Sequence, residues 1–336
     1  MPPSDARTPV QPSRRGLMRT GGGVLAAVVV PSGAALAECT VGPALHTKGE
    51  AVFLDYDQAE LDAAYDQAAY APTMRQLLKR WVSNSALTRN RLGAPKRFAY
   101  GKTEIEALDV FPTKHPNAPI FIMIHGGAWR AVRSSDMAFA ADLFVNAGAH
   151  YVVPDFSAVQ DVGGSLWPMA DQVRRAIAWV HANANRFGGD RSRIYVDGQS
   201  SGGHLAAVAL TTDWHKDFGL PADAIKGGFC ISGMYDLAPV RLSQRSSYLK
   251  FDDAMVEALS PMRHLGNIRA PLIVSHGTDE TPEFQRQARD FATAVKAAGK
   301  PVELIVAENY GHFDLPETLM SPYGILGQAA LRMMKL

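Results

Sequence analysis

The pentapeptide Gly198-Gln199-Ser200-Ser201-Gly202 stands between the run Arg193-Ile194-Tyr195-Val196 and the run His204-Leu205-Ala206-Ala207-Val208-Ala209-Leu210. The first run reads as a strand and the second as a helix. A G-x-S-x-G sequence in that setting makes a sharp strand-to-helix turn, and its glycines are needed because a Cβ there would strike the neighbouring strand or helix. The pattern therefore commits the chain to an α/β fold in which a strand end presents a serine. Only Ser200 has glycine two residues away on both sides, which makes it the candidate nucleophile. Ser201 offers its backbone N–H beside that nucleophile, where an oxyanion would form.

The rest of the chain alternates in the way such a turn requires. Short apolar runs at 105–111, 120–124, 151–154, 193–196, 227–231, 272–275 and 302–306 are strand candidates separated by amphipathic stretches, the pattern of a mostly parallel sheet with crossover helices. Val173, Ile177 and Val180 form one stripe of a helix over 169–187, stopped by Gly188-Gly189, and a second helix over 282–298 stops at Gly299. Ahead of the sheet, apolar residues at helical spacing between Asp57 and Arg91 predict two helices broken at Ala71-Pro72. Residues 239–260 interrupt the alternation and predict a small insertion near the site. No repeat or low-complexity linker divides residues 38–336, so one domain is expected there.

A serine hydroxyl is a weak nucleophile. It needs a base to take its proton and a third group to hold that base in the right tautomer. In chains built on such an elbow the acid follows a late strand and the histidine follows the last one. Here Leu272-Ile273-Val274-Ser275 leads into His276-Gly277-Thr278-Asp279-Glu280, and Leu304-Ile305-Val306 leads into a loop holding Gly311-His312-Phe313. His312 is the candidate base, and His276 reads as structural. An acid three residues after the glycine of an H-G-x-x-D loop falls on Glu280, while the adjacent Asp279 remains an alternative. The strand at 120–124 runs into His125-Gly126-Gly127-Ala128-Trp129, where the amides of Gly127 and Ala128, with that of Ser201, form a candidate oxyanion hole. Trp129, Phe156, Trp167, Tyr235 and Phe313 fall in or near loops after strands, the end of an α/β sheet where ligands bind, and are candidates to line a substrate pocket.

Composition closes off other classes. The formal net charge is +1, and no basic run interleaved with aromatics occurs in the body of the chain, so nucleic acid is not expected as a partner. There is no H-E-x-x-H, and the histidines lack clustered ligand spacing, so neither a metal nor another cofactor is expected. The first 37 residues differ from the rest: Ser13-Arg14-Arg15-Gly16-Leu17-Met18-Arg19 precedes a Gly, Ala and Val-rich stretch, and Ala35-Leu36-Ala37 supplies a small-x-small cleavage site before Glu38. This has the form of a twin-arginine export signal over residues 1–37, whose apolar part is too short to span a membrane stably. A periplasmic or secreted mature chain over 38–336 is the expectation. Of the two cysteines, Cys39 follows a glutamate, which argues against lipidation, and Cys230 lies in an apolar strand, which predicts a packed free thiol.

These motifs together resemble the α/β-hydrolase superfamily, and within it the branch of kynurenine formamidase (arylformamidase) and related esterases with an H-G-G-x-W loop. The resemblance is carried by residues 125–129, the elbow with Gly203-His204-Leu205, Ser232-Gly233-Met234-Tyr235-Asp236-Leu237, Ser260-Pro261, Thr281-Pro282-Glu283-Phe284-Gln285-Arg286-Gln287 and Gly311-His312. It implies an eight-stranded, mostly parallel sheet flanked by helices, with an N-terminal helical segment and a small cap insertion. It also implies an acid two residues before Pro282, again Glu280, where the usual residue is aspartate. Gln199 stands where many relatives carry histidine, a departure that bears on packing. The implied chemistry is cleavage of a small ester or amide through an acyl-enzyme. The formamidase activity belongs to tryptophan breakdown inside cells, so the export signal favours an esterase acting on aromatic or acylated esters.

Overall fold

The computed structural model describes residues 46–336. The segment read as an export signal and Cys39 lie outside the described residues. One compact unit, Lys48–Leu336, holds all the elements that follow.

Eight strands form a single sheet: β1 (Lys96–Ala99), β2 (Ala107–Phe111), β3 (Ala118–Ile124), β4 (His150–Pro154), β5 (Gly189–Gln199), β6 (Ile225–Ile231), β7 (Leu272–Gly277) and β8 (Val302–Ala307). Their order is β1-β2-β4-β3-β5-β6-β7-β8. The pairs β1–β2 and β2–β4 are antiparallel, and every pair from β4–β3 to β7–β8 is parallel. The seven expected strands are all present. The eighth, β1, is a mostly exposed edge strand whose Lys96 and Arg97 break the apolar pattern.

The central strands are buried along their whole length, as a parallel sheet covered on both faces requires. The period of two divides their side chains between two cores. Ile120, Ile122, Ile124, Val196 and Val274 face one, against helices Trp167–Asn183, Ser201–Leu210 and Pro282–Ala297. Phe121, Met123, Tyr151 and Phe229 face the other, against Phe139, Phe144 and helix Ile325–Met334.

Helix boundaries follow local chemistry. Trp167–Asn183 passes into a 3₁₀ turn, Ala184–Phe187, and stops at Gly188, whose φ of +86° is the left-handed cap that glycine adopts without strain. The N-terminal segment forms three helices, Gln58–Ala64, Gln67–Tyr70 and Met74–Leu92, where two were expected. The extra break is at Asp66, whose carboxylate accepts from the Ala68 amide and starts a new helix. The insertion contains helix Leu237–Leu242, a 3₁₀ turn Gln244–Ser247 and helix Asp253–Leu259, the last capped by Asp252 on the Met255 amide at 2.6 Å. No helix among the described residues is long and apolar enough to cross a membrane. Cys230 is buried in β6 and has no disulfide partner among the described residues.

Candidate active site

Strand β5 delivers Ser200 into a backbone conformation of φ +59°, ψ −124°, a region costly to a side-chain-bearing residue. The surroundings hold it there. Its amide donates to Ile231 O at 2.8 Å, and Ser201 begins the following helix. A Cβ on Gly198 would lie 2.1 Å from Gly202 O, and one on Gly202 would lie 2.1 Å from Ile124 O. Both glycines of the motif are thus required by close backbone approach.

The loop after β3 packs onto this elbow. A Cβ on Gly126 would come within 2.5 Å of Gln199 O, and one on Gly127 within 2.4 Å of Ala131 O. Gly127, Ala128 and Trp129 all have positive φ, at +96°, +54° and +61°. Three left-handed residues in succession curl the chain, and among the described residues the amides of Gly127, Ala128 and Ser201 have no protein acceptor. Such amides can receive an oxyanion.

Ser201 also acts through its side chain, which the sequence did not indicate. Its Oγ accepts from the Trp129 amide at 3.0 Å. The Trp129 indole N–H donates to His204 Nδ1 at 3.3 Å, and His204 Nε2 donates to Leu259 O at 2.8 Å. This fixes one neutral tautomer, and burial pushes His204 down to about 4. The tryptophan of the H-G-G-x-W loop and the histidine after the elbow are therefore two ends of one clamp.

The loops after β7 and β8 bring Glu280 and His312 together. His312 Nδ1 lies 2.7 Å from Glu280 Oε2, with His312 only 3% and Glu280 1% exposed. Glu280 Oε1 accepts from Ser232 Oγ at 2.6 Å and from the Gly277 amide at 2.7 Å, and Gln67 Nε2 reaches Oε2 at 3.3 Å. Asp279, the alternative acid, points to solvent. The His312 ring sits edge-to-face with Phe284 and Phe313, at centroid distances of 4.9 and 5.1 Å. Its carbonyl accepts from Gln199 Nε2 at 3.0 Å, and the Trp81 indole donates to Phe313 O at 3.1 Å. Gln199, at the variable position of the elbow, thus tethers the histidine loop. His276 is buried away from this cavity.

Ser200 and His312 line a cavity of about 200 Å³ together with Gly127, Ala128, Gln67, Gln199, Arg245 and an apolar wall of Leu78, Trp81, Ala131, Val132 and Phe313. Of the five aromatics expected to line a pocket, Phe313 is on this wall. The other four are corrected by the structure. Trp129 is buried in its clamp, and Phe156 stacks on His125 at 4.0 Å inside the core. Tyr235 is fully buried, stacked on Phe291 at 4.3 Å, with its hydroxyl donating to Cys230 O and accepting from the Gly233 amide. Trp167 opens a helix and is 40% exposed, off the cavity wall. Conversely, Leu78, Trp81, Gln67 and Arg245 come from the N-terminal helices and the insertion. A position after a strand does not mark them, which is why sequence reasoning passed over them.

The P-E-F-Q-R-Q stretch is structural. Glu283 accepts from Tyr65 OH at 3.1 Å and pairs with Arg286, while Gln287 bonds to the Tyr65 hydroxyl and to the backbone of Tyr235 and Asp236. It ties the N-terminal helices and the loop after β6 to the helix that follows the acid.

Comparison with known proteins agrees with this architecture. The BD-FAE family model matches residues 108–227. The chain is 31% identical over 243 residues to a kynurenine formamidase of Salmo salar, covering 70% of this chain and 80% of that protein. It is 30% identical over 263 residues to the esterase LipC of Mycobacterium tuberculosis, covering 69% of this chain and 60% of that protein. A solved hyperthermophilic esterase from the archaeon Pyrobaculum calidifontis shares the fold with a TM-score of 0.64 at 18% identity, over 83% of this chain and 96% of that one. The chain belongs to the kynurenine formamidase and esterase branch of the α/β-hydrolases, and is a carboxylesterase-type hydrolase of ester or amide bonds.

Proposed function

We propose that the chain is an exported serine esterase that cleaves small aromatic or acylated carboxylic esters, with Ser200, His312 and Glu280 as its catalytic triad. The observation that carries this reading is the 2.7 Å contact between Glu280 and His312 Nδ1, at a cavity that Ser200 and His312 share. With Nδ1–H held by the carboxylate, Nε2 is the basic nitrogen. In the proposed sequence His312 Nε2 takes the Ser200 hydroxyl proton as Oγ attacks the ester carbonyl. The resulting oxyanion is received by the amides of Gly127, Ala128 and Ser201. The C–O bond to the alcohol then breaks, the alcohol leaves with the proton from His312, and an acyl-enzyme remains. A water molecule, deprotonated by His312, attacks the acyl carbon and releases the acid and the serine. No cofactor enters these steps.

Export rests on the twin-arginine segment and its cleavage site, and it places the mature chain in the periplasm or outside the cell. Protein recovered from that compartment should begin at Glu38. The same machinery serves an amide if His312 protonates a poorer leaving group, and the 31% identity to a kynurenine formamidase favours that second reading. Parallel kcat/KM values on a phenyl ester and its matched anilide and formanilide separate the two. The esterase reading expects the ester to be preferred far beyond its greater intrinsic reactivity, whereas a preference for the formanilide would replace it with the formamidase.

A further inference from the structure

One charged side chain on the cavity wall has no part in the steps above. Arg245 lies in the 3₁₀ turn Gln244–Ser247 of the insertion and is only 9% exposed, yet it lines the cavity that holds Ser200 and His312. Its Nη1 donates to Tyr248 OH at 2.9 Å and its Nη2 to Tyr65 O at 3.0 Å, both neutral acceptors. Its buried Nε has no acceptor among the described residues. Among the described residues no carboxylate lies within ion-pair distance of it, whereas Arg97, Arg175 and Arg286 each meet at least one. The rings of Tyr65, Trp129 and Phe284 stand 5.8 to 5.9 Å from its guanidinium carbon, which offsets only part of the cost of taking the charge out of water.

A guanidinium held in an apolar cavity without a counterion is matched by a carboxylate, which its fork can bind through two charge-assisted hydrogen bonds. The cavity is amphipathic in the corresponding sense. Leu78, Trp81, Val132 and Phe313 offer an apolar face, and among the described residues Arg245 is its one permanently charged group. We propose that Arg245 binds a carboxylate carried by the substrate, so that the preferred substrates are anionic: an aryl or short alkyl ester with a free acid group a few bonds from the scissile carbonyl. This deepens the esterase reading and rests on it for the word substrate. The anion itself can sit on the acyl side or on the leaving group, and the two placements are separated by the probes.

The test compares kcat/KM for p-nitrophenyl hemisuccinate against p-nitrophenyl butyrate, and for 4-acetoxybenzoate against its methyl ester. In the wild type at least one charged member should be favoured over its neutral partner. Arg245→Gln should lower that charged-to-neutral ratio by about tenfold or more, and Arg245→Lys should restore part of it. A ratio unchanged by Arg245→Gln, or charged and neutral esters falling in parallel, would show that Arg245 only braces the insertion and would overturn the proposal. A binding arm needs no turnover. On Ser200→Ala, 4-phenylbutyrate should bind about tenfold tighter than 4-phenylbutyramide, and the preference should vanish when Arg245→Gln is added. Equal affinities on Ser200→Ala would contradict the proposal. If the carboxylate preference holds while no ester is turned over, Arg245 keeps its assignment and the esterase reading fails.

Discussion

At the scale of single residues, position in the hydrogen-bond network divides neighbours that the sequence leaves nearly equivalent. Glu280 is buried, meets His312 Nδ1 and accepts from three other groups, while Asp279 next to it faces solvent. Glu280→Gln should lower kcat by about 10⁴-fold, since the amide no longer stabilises the protonated imidazole, and Asp279→Asn should leave kcat within a few-fold. Steady-state kinetics on one ester decide this, and the reverse ranking would reassign the acid. Ser200 and Ser201 divide in the same way. The first occupies the strained elbow, and the second holds the Trp129 amide through its hydroxyl. These distinctions were partly legible beforehand, because the glycine spacing and the H-G-x-x-D register are local patterns. Gln67 and Arg245 were not legible, since a polar residue far away in the chain leaves no local trace of the cavity it will reach.

At the scale of elements, the N-terminal helices belong to the site. Gln67 reaches Glu280 and accepts from the Thr281 amide, and Trp81 holds Phe313 O. Removing the Gln67 amide leaves Glu280 with one donor fewer, so Gln67→Ala should cost about 1 kcal/mol of stability and a several-fold loss in kcat. Thermal unfolding and kinetics measured together check this, and a lowered melting temperature with unchanged kcat would make Gln67 a stability residue alone. Strands β3, β5 and β7 were legible because buried apolar runs mark them directly, and the mostly exposed β8 because Leu304-Ile305-Val306 keeps an apolar run at the edge. Edge strand β1 was not, since a strand open to solvent needs no apolar pattern. The break at Asp66 was missed because Ala-rich flanks continue the helical pattern past a side chain that caps a new helix. Aromatics after strands misled in the other direction: Trp129, Phe156 and Tyr235 fill the core behind the loops, where size favours burial.

At the scale of the whole molecule, stability should vary with pH on two sides. Burial holds His204 at about 4, below the ordinary histidine value near 6.5, so the unfolded chain takes up a proton before the folded one does. The stability tied to His204 is full above about pH 6.5 and is lost as pH falls toward 4, amounting to about 3 kcal/mol. His125, buried against Phe156, is lowered as well and acts in the same direction. Asp197, wholly buried in β5, has the opposite sign. Burial outweighs the Gly198 amide and pushes its carboxyl well above the usual range, so the folded state keeps the proton that the unfolded state releases. Its contribution is full below about pH 4 and is lost as pH rises toward its raised folded value. Urea unfolding across pH should therefore show a smaller loss of stability toward acid in His204→Asn and a smaller loss as pH rises from about 4 in Asp197→Asn. Unaltered slopes in both variants would contradict these assignments.

The account turns on Ser200 as the nucleophile of the elbow. The most direct measurement is labelling of the mature protein with a fluorophosphonate, followed by peptide mass spectrometry. A single adduct on Ser200, absent in Ser200→Ala and retained in Ser201→Ala, is the expected result; an adduct on Ser201 or elsewhere, or none at all, would contradict it.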